Sequence, residues 1–120
     1  EGCSPVVDAY VKGKKNAELF KNPKTIAAGM RVPIAVGDYL IINSVIESNG
    51  TALKINDKEM ISGVKKMSSR EGIFCAPEGG SILSAAIKLI ASNFIKSNES
   101  VLLLNTGSGY KYLEELAGAI

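Results

Sequence analysis

The stretch VLLLNTGSGYK, residues 101–111, decides how the rest of the chain is interpreted. It opens on large aliphatic residues from Val101 to Leu104, an unbroken apolar run between polar neighbours. Such a short run is typical of a strand buried on both faces of a parallel sheet. The run stops at NTGSG, residues 105–109, and ligands in open α/β sheets gather at loops beyond the carboxyl ends of strands. The sequence therefore predicts a central buried strand followed by a ligand-binding loop.

The remaining elements alternate around this strand. Capping residues and prolines predict helix starts at Pro5 after Ser4, at Asp38, after Asn56 with its capping-box partner Glu59, and at Pro77. Short strands are predicted at residues 51–55 and 73–75, and a final helix at 111–120. This order predicts an α/β fold with three layers, a mostly parallel sheet and helices on both faces.

Two of the predicted helices carry apolar residues at helical spacing. In the helix that begins at Asp38, burial is expected for Leu40, Ile41, Val45 and Ile46. The helix that begins at Pro77 is predicted to run to Ile95 and to pack a wide apolar surface against the sheet.

Two sequence blocks carry a resemblance to a known family. The loop block NTGSGYK and the segment EGIFCAPEGG, residues 71–80, are similar to the C-terminal signatures of threonine synthases and their pyridoxal-phosphate (PLP) relatives of the tryptophan-synthase-β fold type. The opening EGCSP, residues 1–5, and TIAAGMRV, residues 25–32, also look like pieces of these enzymes. The resemblance therefore covers nearly the whole chain.

The resemblance implies roles for particular residues. Thr106, before the first glycine of the loop, would face the pyridine nitrogen of PLP, with Gly107 and Ser108 beside it. Glu78 would join the cofactor site through the second block, where glycines let the backbone approach a ligand closely. Arg31 could bind a substrate phosphate or carboxylate bidentately.

The residues alone leave simpler interpretations open. Thr106-Gly107 could form only a strand-to-helix turn, with Ser108 as the helix N-cap. Glu78 could act only as a carboxylate in the first turn of a helix, where the dipole favours it. Arg31 could form a surface or structural ion pair.

The activity implied by the resemblance is that of a PLP-dependent lyase that converts O-phosphohomoserine to threonine and phosphate. No stretch of the chain matches the family's cofactor-bearing lysine or its glycine-rich phosphate cradle. Residues 1–120 are therefore expected to be a single unit, the C-terminal fragment of a large PLP-binding domain, and to be inactive alone. Ala76 departs from the glutamate that many relatives carry, so the substrate stays open.

Three function classes are compatible with the sequence. The first is a PLP enzyme, either a threonine synthase or a sister enzyme such as threonine dehydratase. The second is a stand-alone module that binds a phosphate or nucleotide with its NTGSG loop. The third is a non-catalytic assembly domain. Separately, half of an α/β domain would leave a sheet face or edge uncovered, so we expect a homodimer.

The amino-acid composition argues against several classes of binding partner and binding site. The 120 residues are 46% hydrophobic and 22% charged, with a formal net charge of +2 and no basic block, which argues against nucleic-acid binding. The chain lacks histidine and has two cysteines, too few for a disulfide framework or a structural zinc site. No apolar run approaches the length of a membrane span. A cytoplasmic protein acting on a small amino-acid substrate is therefore expected.

Overall fold

The computed structural model describes residues 1–118, which divide into two compact units, the first Glu1–Lys54 and the second beginning at Ile55. The described elements are α1 Pro5–Val11, α2 Asp38–Glu47, α3 Asp57–Glu71, α4 Pro77–Ala91 and α5 Leu113–Leu116, with 3-10 helices at Ala28–Met30 and Gly109–Tyr112. Within this part of the chain, none of the helices has the length and apolar character needed to cross a membrane.

The first unit is built around α1 and α2. Helix α1 begins at Pro5 after Ser4, as predicted, and ends at Val11, with Lys12 as its C-cap and Gly13 after it at a positive φ of 65°. The Tyr10 hydroxyl donates a hydrogen bond to the Gly50 carbonyl at 3.2 Å, which ties α1 to the end of the second helix. The buried residues of the two helices include Ala9 in α1 and Ile42 in α2.

Asp38 organises the start of α2. Gly37 is the N-cap, and the buried Asp38 carboxylate reaches back to the preceding loop. It accepts hydrogen bonds from the backbone N–H of Ala17 at 2.5 Å and of Tyr39 at 2.7 Å. These bonds hold the pKa of Asp38 below its usual range, because they favour the charged carboxylate over the acid.

The predicted buried face of α2 is wrong. Ile42 is the buried aliphatic residue and Val45 is half-buried, whereas Leu40, Ile41 and Ile46 are exposed. Apolar residues follow one another from Tyr39 to Ile42, so they surround the helix and the sequence pattern does not single out one face.

In the second unit, α3 has the predicted ends. The Asn56 side chain accepts from the Glu59 N–H at 3.0 Å, and the Glu59 carboxylate accepts from the Asn56 N–H at 3.1 Å. This reciprocal pair is the capping box. At the other end, Gly72 adopts the left-handed conformation that commonly terminates helices.

Helices α3 and α4 cross at two glycines. A Cβ atom added to Gly63 would lie 2.1 Å from the Gly80 carbonyl oxygen, so the two backbones are in direct contact. Beside the crossing, the Ser84 hydroxyl donates to the Glu59 carbonyl at 2.7 Å and Lys88 pairs with the Glu59 carboxylate at 2.7 Å. The core beneath consists of Val64, Met67, Cys75 and Leu116, with Ile61, Phe74, Leu83 and Tyr112 packed against it.

The predicted parallel sheet is not confirmed. Across residues 1–118 the β pairing is limited to one isolated antiparallel bridge, between Cys75 and Ser108, and residues 51–55 are irregular. Val101–Leu104 is not a buried strand, since Val101 is 46%, Leu102 83% and Leu104 66% exposed. A strand needs a neighbouring strand to accept and donate its backbone hydrogen bonds, and the described chain offers this run none.

The carboxyl-terminal helices are shorter than predicted. Helix α4 ends at Ala91 rather than Ile95, because Asn93 turns the chain with a φ of 59°. Its predicted apolar surface is partly uncovered, with Ile87, Ile90 and Phe94 exposed. Of the final helix predicted over 111–120, the structure shows α5 at Leu113–Leu116, and Ala119 and Ile120 lie outside the described residues.

Candidate functional site

The two sequence blocks meet in the second unit. The Ala76 N–H donates to the Gly107 carbonyl at 3.0 Å, and the Gly109 N–H donates to the Phe74 carbonyl at 2.9 Å. These bonds flank the antiparallel bridge between Cys75 and Ser108. Residues 74–76 and 107–109 thus form a short paired segment that fixes the loop against the start of α4.

Two glycines permit this close pairing. A Cβ atom on Gly109 would lie 2.7 Å from the Phe74 ring and 2.8 Å from the Cys75 carbonyl oxygen. A Cβ atom on Gly79 would lie 2.4 Å from the Asn105 side-chain oxygen and 2.8 Å from Cys75 Cβ. Larger residues at either position would push the loop away from α4.

Side chains add a second connection between the blocks. The Tyr112 hydroxyl donates a 2.7 Å hydrogen bond to Oε1 of Glu78, in the first turn of α4. The rings of Phe74 and Tyr110 pack edge to face with centroids 5.3 Å apart. The loop is therefore fixed on both sides of Ser108.

Thr106 lies outside these fixed points. Its side chain is exposed, and within residues 1–118 its hydroxyl has no hydrogen bond. Gly107, next to it, uses its carbonyl to pair with Ala76. The Thr106 hydroxyl is thus available to a ligand that approaches the loop from solvent.

Ser108 caps the 3-10 helix Gly109–Tyr112. Its side-chain oxygen accepts from the Tyr110 N–H at 3.3 Å. The alternative in which this serine is a cap is confirmed, and the bond gives its hydroxyl a structural role.

Cys75 belongs to the paired segment and is a buried free thiol. Burial raises its pKa, because the apolar surroundings disfavour the thiolate. A protonated thiol is a weak nucleophile, so the geometry favours a packing role for Cys75.

Arg31 belongs to the first unit, whereas Thr106, Gly107, Ser108 and Glu78 belong to the second. It follows the 3-10 helix Ala28–Met30 and its side chain is exposed. Its role in substrate binding stays a prediction.

Sequence reasoning placed Asn105 in the candidate loop but missed its closeness to Gly79, and it missed Tyr112 altogether. Tyr112 and Glu78 are 34 residues apart, so no local pattern links them. The glycine run after Pro77 was the available signal for Asn105, because close backbone approach requires glycine.

Comparison with known proteins identifies the family. A family model described as pyridoxal-phosphate dependent enzyme matches residues 1–107. The threonine synthase of Methanocaldococcus jannaschii is 31% identical over 111 residues, which is 92% of this chain and 27% of that enzyme. The threonine synthase of Methanosarcina acetivorans is 29% identical over 107 residues, 89% of this chain and 26% of that enzyme.

A bacterial relative gives a similar match. The threonine synthase of Halalkalibacterium halodurans is 28% identical over 94 residues, 78% of this chain and 27% of its own length. The chain thus spans about a quarter of the length of the relatives it matches.

The joined blocks offer one hydrogen-bonding group of a kind that suits a PLP ring. The exposed Thr106 hydroxyl can donate or accept a hydrogen bond at a ring nitrogen. Neither residues 71–80 nor residues 100–110 contain a lysine, so these two blocks supply no amine to anchor the cofactor covalently.

Proposed function

This chain belongs to the family of pyridoxal-phosphate dependent enzymes, and on that premise we propose that it forms the part of a threonine synthase that holds the pyridine ring of the cofactor. The reaction would convert O-phosphohomoserine to threonine and phosphate. The names of the relatives support this choice over a sister activity. The observation that carries it is the exposed Thr106 hydroxyl on a loop joined to the 74–76 segment.

PLP, when bound, supplies an electron sink for charge that develops on an amino-acid substrate. In this proposal Thr106 hydrogen-bonds the ring nitrogen through its hydroxyl. A hydroxyl makes this bond without holding a proton on the nitrogen, whereas a carboxylate would hold one there. With Thr106 at this position, the ring would therefore accept electrons less strongly than a ring with a protonated nitrogen.

The neighbouring residues would support that contact. Gly107 holds the loop through its carbonyl bond to Ala76, and Ser108 fixes the following turn through its bond to the Tyr110 N–H. Glu78, which was predicted as a cofactor residue, lies in the first turn of α4, where its carboxylate accepts a hydrogen bond from the Tyr112 hydroxyl. Arg31 would bind the phosphate of the substrate with its guanidinium group, which matches phosphate geometry bidentately.

We extend the proposal to the fold. Val101–Leu104 is apolar and has no regular secondary structure, and none of its backbone N–H groups donates to another backbone group within residues 1–118. An unpaired run of this kind is a template for strand pairing. We propose that it joins a mostly parallel sheet in the complete enzyme.

Self-association is part of the same proposal. Ile87 and Ile90 near the end of α4 and Phe94 just after it are exposed, and exposed apolar residues that cluster often mark protein interfaces. We propose a homodimer, and Ile90→Glu should convert it to a monomer in sedimentation equilibrium. We also propose a cytoplasmic location, since Cys3 and Cys75 are both free thiols.

A chimera tests the function. The matched quarter of the Methanocaldococcus jannaschii enzyme is replaced by this chain, and threonine and phosphate release from O-phosphohomoserine are measured. We expect turnover by the chimera and none by the purified 120-residue chain. A chimera that binds PLP but deaminates threonine instead would identify a dehydratase and reject the proposed reaction.

Variants of Thr106 test the residue role. Thr106→Val keeps the side-chain shape but removes the hydroxyl, and loss of one hydrogen bond to a ring nitrogen should cost about 1–3 kcal/mol. The chimera should then lose roughly 5- to 150-fold in the product of PLP affinity and turnover, since about 1.4 kcal/mol is tenfold. Thr106→Ser should stay close to the unsubstituted chimera. Equal PLP absorbance and rates for the Thr106→Val chimera and the unsubstituted chimera would remove this residue from the site.

A further inference from the structure

Glu78 and Tyr112 form a connection that the two sequence motifs do not account for. The Tyr112 hydroxyl donates to Glu78 Oε1 at 2.7 Å across 34 residues of chain. The Tyr112 ring is half-buried and packs against the core of Val64, Met67, Cys75 and Leu116. The ring is therefore anchored, and the hydroxyl reaches the carboxylate from a fixed position.

The hydrogen bond between Tyr112 and Glu78 holds the loop from a second side. On one side, the loop is held by the backbone bonds between Ala76 and Gly107 and between Gly109 and Phe74. On the other side, the 3-10 helix Gly109–Tyr112 continues the loop and ends at the Tyr112 bond to α4. The exposed Thr106 lies just before the stretch bounded by these fixed points.

We infer that Glu78 is a positioning residue, which holds the Thr106 loop through Tyr112 instead of touching the cofactor itself. A tyrosine hydroxyl that donates to a carboxylate makes one of the stronger protein hydrogen bonds. One carboxylate oxygen of Glu78 is already engaged by Tyr112. The inference rests on the proposed function only in treating Thr106 as the cofactor contact.

The first test measures amide hydrogen exchange in the 120-residue chain. Tyr112→Phe removes the hydroxyl and keeps the ring, and it should accelerate exchange of the Ala76 and Gly109 amides roughly tenfold, the effect of losing one hydrogen bond to a charged group. Tyr110→Phe is the matched control, because it removes a hydroxyl from a ring that is 74% exposed. Glu78→Gln retains an acceptor and should show a smaller effect.

Two exchange results would overturn the inference. The first is equal exchange at Ala76 and Gly109 in the Tyr112→Phe and Tyr110→Phe chains. The second is acceleration that extends equally to the amides of α3, such as Val64, because a general loss of stability would produce it.

The second test measures PLP affinity and absorbance in the chimera. Tyr112→Phe should weaken PLP binding about tenfold, whereas Tyr110→Phe should leave it unchanged. A larger loss for Glu78→Gln than for Tyr112→Phe would mean that Glu78 touches the cofactor directly, and would overturn the inference. Amide exchange at Ala76 and Gly109 could accelerate as expected while neither Tyr112→Phe nor Thr106→Val changes PLP affinity. In that case the positioning role stands and the proposed cofactor site fails.

Discussion

At the scale of single residues, Gly63 shows how little space separates α3 from α4. Gly63→Ala would place a methyl group 2.1 Å from the Gly80 carbonyl oxygen, which is backbone and cannot rotate away. Overpacking of this kind typically costs about 1–3 kcal/mol, partly offset by the better helix propensity of alanine. We expect a net loss of at least about 1 kcal/mol in urea unfolding of the second unit.

A control for Gly63 is available in the same unit. Gly118 has no neighbour within 4 Å of an added Cβ and no positive φ. Gly118→Ala should therefore change stability by less than about 0.5 kcal/mol. Equal stability of the Gly63→Ala and Gly118→Ala chains would show that α3 and α4 do not cross as described.

Asp38 gives the first unit a predictable pH dependence. Its pKa is lowered mainly by the Ala17 N–H, so the folded state prefers the carboxylate. The unfolded chain should titrate near the ordinary value of about 3.9. The stabilisation is therefore fully present above about pH 4 and is lost as pH falls through the lower pKa of the folded state.

Thermal unfolding of wild-type and Asp38→Asn chains tests this linkage. The amide signals of residues 1–54 report the first unit. Wild type should be the more stable protein at about pH 7, and the gap should narrow below about pH 4, because protonation removes the charge that the asparagine also lacks. A gap that stays constant from about pH 7 to about pH 3 would contradict the charged role of Asp38.

At the scale of elements, the local signals that start helices, together with the stop at Gly72, were the most predictable feature. The Asn56–Glu59 box, the proline starts at Pro5 and Pro77 and the stop at Gly72 all appear where the sequence predicts them. Each of these signals acts over a few residues, so the sequence contains the whole interaction.

The start of α3 provides an element-scale prediction. Asn56→Ala removes the oxygen that accepts from the Glu59 N–H and should lower the free energy of unfolding by about 1 kcal/mol. Asn56→Ser retains a good cap and should be nearly neutral. Urea unfolding followed by helical circular dichroism measures both. A destabilised serine variant would indicate that Asn56 contributes through some contact other than the cap.

Features that depend on distant partners were not predictable. The buried-strand prediction for Val101–Leu104 used composition alone, and composition does not say which backbone groups will pair with it. The bond between Tyr112 and Glu78 was missed for the same reason, since only the folded chain brings the two together. The Ser108 cap at the end of the candidate loop was predictable, because a cap acts over neighbouring residues.

At the scale of the whole molecule, the surroundings of the apolar run Val101–Leu104 should differ between this chain and a complete enzyme. Leu102 is 83% exposed here. If Val101–Leu104 becomes a strand covered on both faces in the complete enzyme, as we propose, the same residue would become buried. The two contexts therefore predict opposite responses to one substitution.

Leu102→Lys separates these contexts. In the 120-residue chain it should change stability by less than about 0.5 kcal/mol, because an exposed lysine keeps its water. In the chimera it would bury a charge or break the strand, which should cost several kcal/mol and abolish PLP binding. Leu102→Met conserves volume and should be tolerated in both. A Leu102→Lys chimera that keeps its thermal midpoint and its PLP would show that the run stays at the surface, and the proposed sheet would have to be built without it.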